Sequence, residues 1–215
     1  MKKSTALRPI GIVLMGISCL YTIWYMQLGD IFENSGALST IGLTHPVLFA
    51  IWGVLAQSAM LANICTMYMR AGIHKNFYKV LLILSTLGMG MTLLFPFDYD
   101  MRPYYFLHCT GAFLFTGANG CAILIYYLLR RKERPAFWAL FGCGCAVLAA
   151  SLILMLITKE TAFNETLPFF GAFVLFTATN ATKLGAPKTK AANAGTKEGT
   201  ISHNGTKRKE PARRT

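Results

Sequence analysis

Ionisable and hydrogen-bonding side chains gather near one end of the apolar segments of this 215-residue sequence. Two aspartates stand in the polar segment PFDYDMRP, a histidine follows one turn into the next apolar run, and a glutamate begins the last run. His108 and Asn119 are eleven residues apart, so on a helix they share one face. Six residues are candidates for ligand binding: Asp98, His108, Glu165, Ser39, Asn119 and Asp100.

The histidine has three interpretations, which the sequence leaves open. An ionisable side chain at or inside a membrane is costly unless it is paired or hydrated, which makes it a functional candidate. With a carboxylate neighbour, His108 could act as a base, a ligand or a proton relay. Alternatively, His108 hydrogen-bonds to Asp98 or Glu165 and only fixes a loop to a helix.

Familiar catalytic and metal-binding patterns are absent from the sequence. Zinc needs three or four clustered ligands, and neither HxxxH nor HExxH occurs. There is no GxSxG elbow, P-loop or Gly-rich dinucleotide fingerprint. We therefore expect no metal and no cofactor, and the sequence does not decide whether the protein is an enzyme.

The elements that must position these residues are long apolar helices. Hydrophobic residues make up 54% of the chain and charged residues 14%, a balance that is too apolar for the surface of a soluble domain. Runs of about 20 apolar residues match the hydrocarbon core of a bilayer. The sequence predicts an all-α, polytopic membrane bundle of six transmembrane helices at residues 10–26, 46–69, 77–95, 104–129, 136–157 and 162–182.

The distribution of basic residues predicts the orientation of this bundle. Of the 21 Lys and Arg residues, 19 fall on one side of the predicted membrane, and Arg102 and Lys159 fall on the other. By the positive-inside rule, both termini face the cytoplasm. We divide the chain into a transmembrane domain (1–184) and a disordered, basic cytoplasmic tail (185–215) that would attract anionic headgroups and not nucleic acid.

Small residues predict where helices approach closely, because Gly and Ala let helix backbones meet in a membrane. They are most frequent in the fourth and fifth predicted spans, as in the run GCGCAVLAA. We therefore expect these two spans inside the bundle or at close contacts.

Three segments resemble the Frag/DRAM/Sfk group of six-span membrane proteins, including its bacterial branch of unknown function. They are LSTIGLTHPVLFAIWG (38–53), FPFDYDMRPYYFLHCTGAFLF (95–115) and NETLPFFGAFVLFTATN (164–180), and the similarity extends over most of residues 10–183. The matched residues are Ser39, Gly42, Asp98, His108 and Glu165. Eukaryotic members of the group are associated with autophagy and lysosomal membranes, GPI-anchor lipid remodelling or plasma-membrane lipid organisation, so the resemblance implies a role that involves lipid.

The sequence thus favours a multi-pass membrane protein that binds, senses or organises lipids through an outer-facing polar cluster. The alternatives are a membrane-embedded enzyme of lipid remodelling, a small transporter, or a subunit of a membrane complex. The expected location is the cell membrane, or an endomembrane or lysosomal membrane in a eukaryotic cell. Membrane lipids are the expected partners, and a protein partner within the membrane is left open.

Overall fold

The computed structural model describes residues 2–186, which are helical apart from their connections and contain no strand. The predicted tail, residues 185–215, therefore lies almost wholly outside the described residues. Short 3-10 turns follow α1, and a π-helical turn, Thr177–Ala181, follows α7. The helices are α1 (Lys2–Tyr25), α2 (Leu38–Thr44), α3 (Pro46–Arg70), α4 (Phe77–Leu94), α5 (Arg102–Arg130), α6 (Pro135–Thr158) and α7 (Ala162–Phe176).

Five of the helical segments are long and apolar enough to cross a membrane: Leu7–Leu28, Pro46–Arg70, Phe77–Leu94, Arg102–Arg130 and Pro135–Thr158. For the described residues, the prediction of an all-helical fold with helices long and apolar enough to span a membrane is confirmed. The predicted sixth span corresponds to α7 and the π turn. Its α-helical part has only 15 residues, fewer than the roughly 20 that a straight crossing needs.

Glycines bring α4 and α5 into backbone contact. A Cβ atom on Gly88 would lie 2.5 Å from the backbone N of Phe115 and 2.7 Å from the carbonyl O of Gly111. A Cβ atom on Gly111 would lie 2.6 Å from the carbonyl O of Gly88. This pair joins the third and fourth predicted spans, so the close contact expected of the fourth span is found here.

Of the two placements expected for the fifth span, inside the bundle or at close contacts, helix α6 takes the second: a Cβ atom on Gly144 would lie 2.8 Å from Leu124 Cδ2. Along its length only Phe137 and Gly144 are buried, and its small residues Gly142, Ala149 and Ala150 are exposed. Helix α6 packs on the outside of α5 and α7, and its apolar residues surround the helix as in a membrane span.

Three arginines bind the carbonyls at the end of the α7 segment. Arg70 donates to the carbonyls of Thr179 and Asn180, both at 2.9 Å, and Arg8 also donates to Asn180. Arg130, which is buried, donates to the carbonyl of Gly185 at 2.8 Å and forms an ion pair with Glu133. Backbone groups that the π turn leaves without helical partners are satisfied in this way. We call this end of the bundle the arginine end.

Candidate functional site

A cavity of about 340 Å³ lies at the opposite end of the bundle, where α3, α5 and α7 begin and α6 ends. We call this space the outer cavity, because the sequence predicts that this end faces outward. Its walls are largely apolar and aromatic, with Phe49, Trp52, Phe97 and Phe169 among them. Its polar lining side chains are Ser39, Thr92, His108, Cys109, Thr116, Ser151, Glu160, Asn164 and Glu165.

Glu165 is held in place by the start of α7. Thr161 and Asn164 form a capping box, in which the Thr161 N–H donates to Asn164 Oδ1 at 3.0 Å and the Asn164 N–H donates back to Thr161 Oγ1. The next residue, Glu165, accepts a hydrogen bond from the Leu38 N–H at 2.6 Å and another from Ser39 Oγ at 2.8 Å. The carboxylate thereby caps the first turn of α2, where negative charge is stabilised by the helix N-terminus.

His108 joins the loop before α5 to α5 itself. The ring is 3% exposed, and Nδ1 lies 2.9 Å from the carbonyl O of Phe95. Since a carbonyl can only accept, Nδ1 carries the proton and donates, which leaves Nε2 as an acceptor in the neutral imidazole. Aromatic rings flank the imidazole, Phe97 at 5.2 Å and Phe49 at 6.0 Å between centroids. The loop is thus fixed through a backbone carbonyl and not through Asp98 or Glu165.

The two loop aspartates lie apart from this cavity. Asp98 accepts a hydrogen bond from the Asp100 N–H at 2.9 Å and so stabilises the turn that leads into α5. Asp100 is exposed, and neither aspartate lines the outer cavity. The structure therefore brings Ser39, His108 and Glu165 together but not Asp98 or Asp100.

Glu160 is a lining residue that the sequence did not single out. It follows α6 and accepts hydrogen bonds from the hydroxyls of Tyr99 at 3.4 Å and Tyr105 at 3.3 Å. Partial burial raises the pKa of Tyr99. The hydroxyl therefore stays protonated and can donate to Glu160. Glu160 stands in the short loop between α6 and α7, and local sequence gives no sign that this loop meets Tyr99 and Tyr105.

Asn119 lies deeper, in a second cavity of about 40 Å³ between α5, α6 and α7. Its side chain is 3% exposed, and within residues 2–186 neither Oδ1 nor Nδ2 has a hydrogen-bond partner. Like His108, Asn119 is a buried residue of α5. Five residues line both cavities: Phe115, Thr116, Leu148, Pro168 and Phe169.

The carboxyl side chains of the outer cavity, Glu160 and Glu165, have no Lys or Arg neighbour among its described lining residues. Carboxylate and imidazole acceptors suit a partner that brings hydrogen-bond donors, and the aromatic walls can stabilise a positive charge.

One side of the outer cavity reaches the lateral surface of the bundle between α5 and α6. Phe113 on α5 is 55% exposed and Leu152 on α6 is 49% exposed, although both line the cavity. Gly117, one turn along α5 from Phe113, is exposed and has open space where a side chain would begin. In a bilayer this rim would face acyl chains.

Potential metal ligands are dispersed in the described part of the chain. No group of three or more His, Cys, Asp or Glu side chains is placed to hold a metal ion among those residues. His108 donates to the Phe95 carbonyl and Ser39 donates to Glu165, and among residues 2–186 no hydrogen bond joins the histidine to a carboxylate.

Comparison with known proteins adds no relative: no family model, no curated protein and no solved structure matches the chain. The resemblance to the Frag/DRAM/Sfk group stays a prediction. Five of the described helices are long and apolar enough to span a membrane, as an integral membrane protein requires.

Proposed function

We propose that this protein is a six-span membrane protein that binds a membrane lipid in the outer cavity, and thereby senses or organises that lipid. The observation that carries the proposal is the form of the cavity. It has an acceptor-rich polar end at Ser39, His108 and Glu165 and an apolar side that opens between α5 and α6. An amphipathic molecule satisfies both parts, with its headgroup at the polar end and its chain against the apolar walls.

The sixth crossing in this proposal consists of α7 and the π turn together. The 15 residues of α7 and the five of the π turn give about 20, which is enough for the hydrocarbon core. Both termini are then cytoplasmic, in agreement with the 19 basic residues on that side. Arg8, Arg70 and Arg130 lie at the cytoplasmic end in this arrangement, and Glu160 and Glu165 lie at the outer end.

The headgroup that fits the polar end carries hydrogen-bond donors. Glu160 and Glu165 would repel a bare phosphate, and no described lining residue brings a compensating positive charge. An ammonium or hydroxyl group would instead donate to the carboxylates or to His108 Nε2. We therefore expect zwitterionic or polyhydroxyl lipids to bind in preference to simple anionic ones.

The transporter alternative gains no support from the polar residues in the bundle. Gln57 donates to Thr86 Oγ1 at 2.7 Å and accepts from Ser85 Oγ at 3.0 Å, so its amide is used between α3 and α4. It lines neither the outer cavity nor the one at Asn119.

Blocking the lateral opening tests the proposal. Gly117 lines the cavity, whereas Gly142 on α6 does not; both are exposed, and both have open space for a side chain. Gly117→Phe should remove co-purifying lipid from the full-length protein, as measured by native mass spectrometry and lipid extraction. Gly142→Phe, the matched control, should retain as much lipid as the wild type. Equal retention by both variants, or no lipid on the wild type, would contradict the proposal.

A further inference from the structure

The amide of Asn119 is the exception among the buried amides of α3, α5 and α7. Asn63 donates to the carbonyls of Gly11 and Ala59, and its own oxygen accepts from Asn180. Asn164 is bonded through both its oxygen and its nitrogen. Asn119 is as buried as these residues, yet both of its polar atoms lack a partner within residues 2–186. A buried polar group without a partner is destabilising, so the site is expected to serve a binding role.

The position of Asn119 connects it to the outer cavity. Eleven residues of α5 separate it from His108, which corresponds to about 16 Å along the helix axis. That distance is about half of the 30 Å hydrocarbon core, so Asn119 lies near the middle of the membrane in the proposed arrangement. The residues that line both cavities, Phe115 and Phe169 among them, form a continuous wall from one site to the other.

The surroundings of Asn119 are poorly suited to a water molecule alone. A buried water usually makes about three hydrogen bonds. The side chains that line the deep cavity with Asn119 are apolar except for Thr116; they include Met60, Ile123, Leu124 and Val147. A plain acyl chain would fit the walls but would leave the amide unpaired.

We propose that Asn119 binds a neutral hydroxyl or carbonyl group carried far along the chain of the lipid in the outer cavity. This inference rests on the proposed function, since it requires the headgroup at Glu165 and His108. The amide supplies both a donor and an acceptor, so either a hydroxyl or a carbonyl can pair with it. The preferred ligand is therefore a lipid with an oxygenated chain, and Asn119 is the residue that selects it.

Two probes that differ in one hydroxyl test this selection. The full-length protein in nanodiscs is titrated with monostearoylglycerol and with the analogue whose stearoyl chain bears a hydroxyl midway along it. The wild type should bind the hydroxylated probe about tenfold more tightly, which is the value of one buried hydrogen bond. Asn119→Leu, which has nearly the same shape, should bind both probes equally.

The outcomes separate this inference from the proposed function. If the wild type binds both probes with equal affinity, the lipid site stands and the role of Asn119 is overturned. If neither probe binds, both proposals fail. A hydroxyl preference that survives in Asn119→Leu would also overturn the inference. Because the ratio for the wild type needs no substitution, the test does not depend on whether the variant folds.

Discussion

At the scale of single residues, His108 combines two roles that one substitution can separate. Its Nδ1 donates to the Phe95 carbonyl and holds the loop, while its Nε2 is the acceptor that we assign to the ligand. Asparagine can place its amide near the position of Nδ1 but has no equivalent of Nε2.

We therefore predict that His108→Asn keeps most of the stability but loses lipid affinity. His108→Ala should lower the free energy of unfolding by about 2–4 kcal/mol, because it leaves the carbonyl unpaired and opens space between two aromatic rings. Thermal unfolding in detergent and lipid titration of both variants provide the measurements. Equal lipid affinity of His108→Asn and the wild type would show that Nε2 does not contact the ligand.

The residues of the site were predictable singly, and their pairing was not. Ser39 and Glu165 stood out as hydrogen-bonding side chains at the predicted outer ends of the spans, yet 126 residues separate them. Their bond depends on how α7 meets α2, which local sequence does not encode. Asp98 stood out for the same reason, but its carboxylate is used within its own turn. Glu160 was missed because its partners Tyr99 and Tyr105 precede it by 61 and 55 residues, so no local pattern connects them.

At the scale of helices, the glycine pair between α4 and α5 sets how the wall of the outer cavity is built. Helix α5 carries His108, Phe113 and Asn119, so any shift of α5 relative to α4 moves the lining of both cavities. The pair Gly88 and Gly111 determines that position, since each would place a Cβ atom against the backbone of the other helix.

Gly88→Ala should therefore destabilise the bundle by about 2 kcal/mol or more, because the obstacle is backbone and cannot move aside as a side chain can. Gly90→Ala on the same helix is the control: it has open space and should be neutral or stabilising by up to about 1 kcal/mol, since alanine favours helix. Thermal unfolding of the two variants measures the difference. Similar melting temperatures would mean that the close contact is not required.

Hydropathy predicted the long helices closely but not the short or irregular ones. The structure has Pro46–Arg70 and Phe77–Leu94 where the sequence predicts 46–69 and 77–95. Such helices are specified by composition and length, which one sequence displays. Helix α2 and the π turn were not foreseen, because they depend on the Glu165 cap and on carbonyl bonds from Arg8 and Arg70.

At the scale of the whole molecule, the number of crossings determines where the C-terminus lies. With a cytoplasmic N-terminus, six spans return the chain to the cytoplasm, whereas five would leave the C-terminus outside.

A C-terminal fusion to green fluorescent protein should therefore fluoresce, and a fusion to alkaline phosphatase should be inactive when expressed in bacteria. The same reporters inserted after Lys132, in the loop between α5 and α6, provide the cytoplasmic reference. An active phosphatase at the C-terminus would show that α7 and the π turn do not cross the membrane.

The central claim is that a lipid occupies the outer cavity, and photocrosslinking in the membrane tests it most directly. A phosphatidylethanolamine with a diazirine on its acyl chain is added to membranes that contain the full-length protein, and adducts are mapped by mass spectrometry. We predict adducts concentrated on the cavity rim at Phe113, Leu152 and Met155, and their loss when excess unlabelled lipid is added. Adducts spread evenly over other exposed apolar residues, such as Val13 and Trp138, and unaffected by competitor would contradict the account.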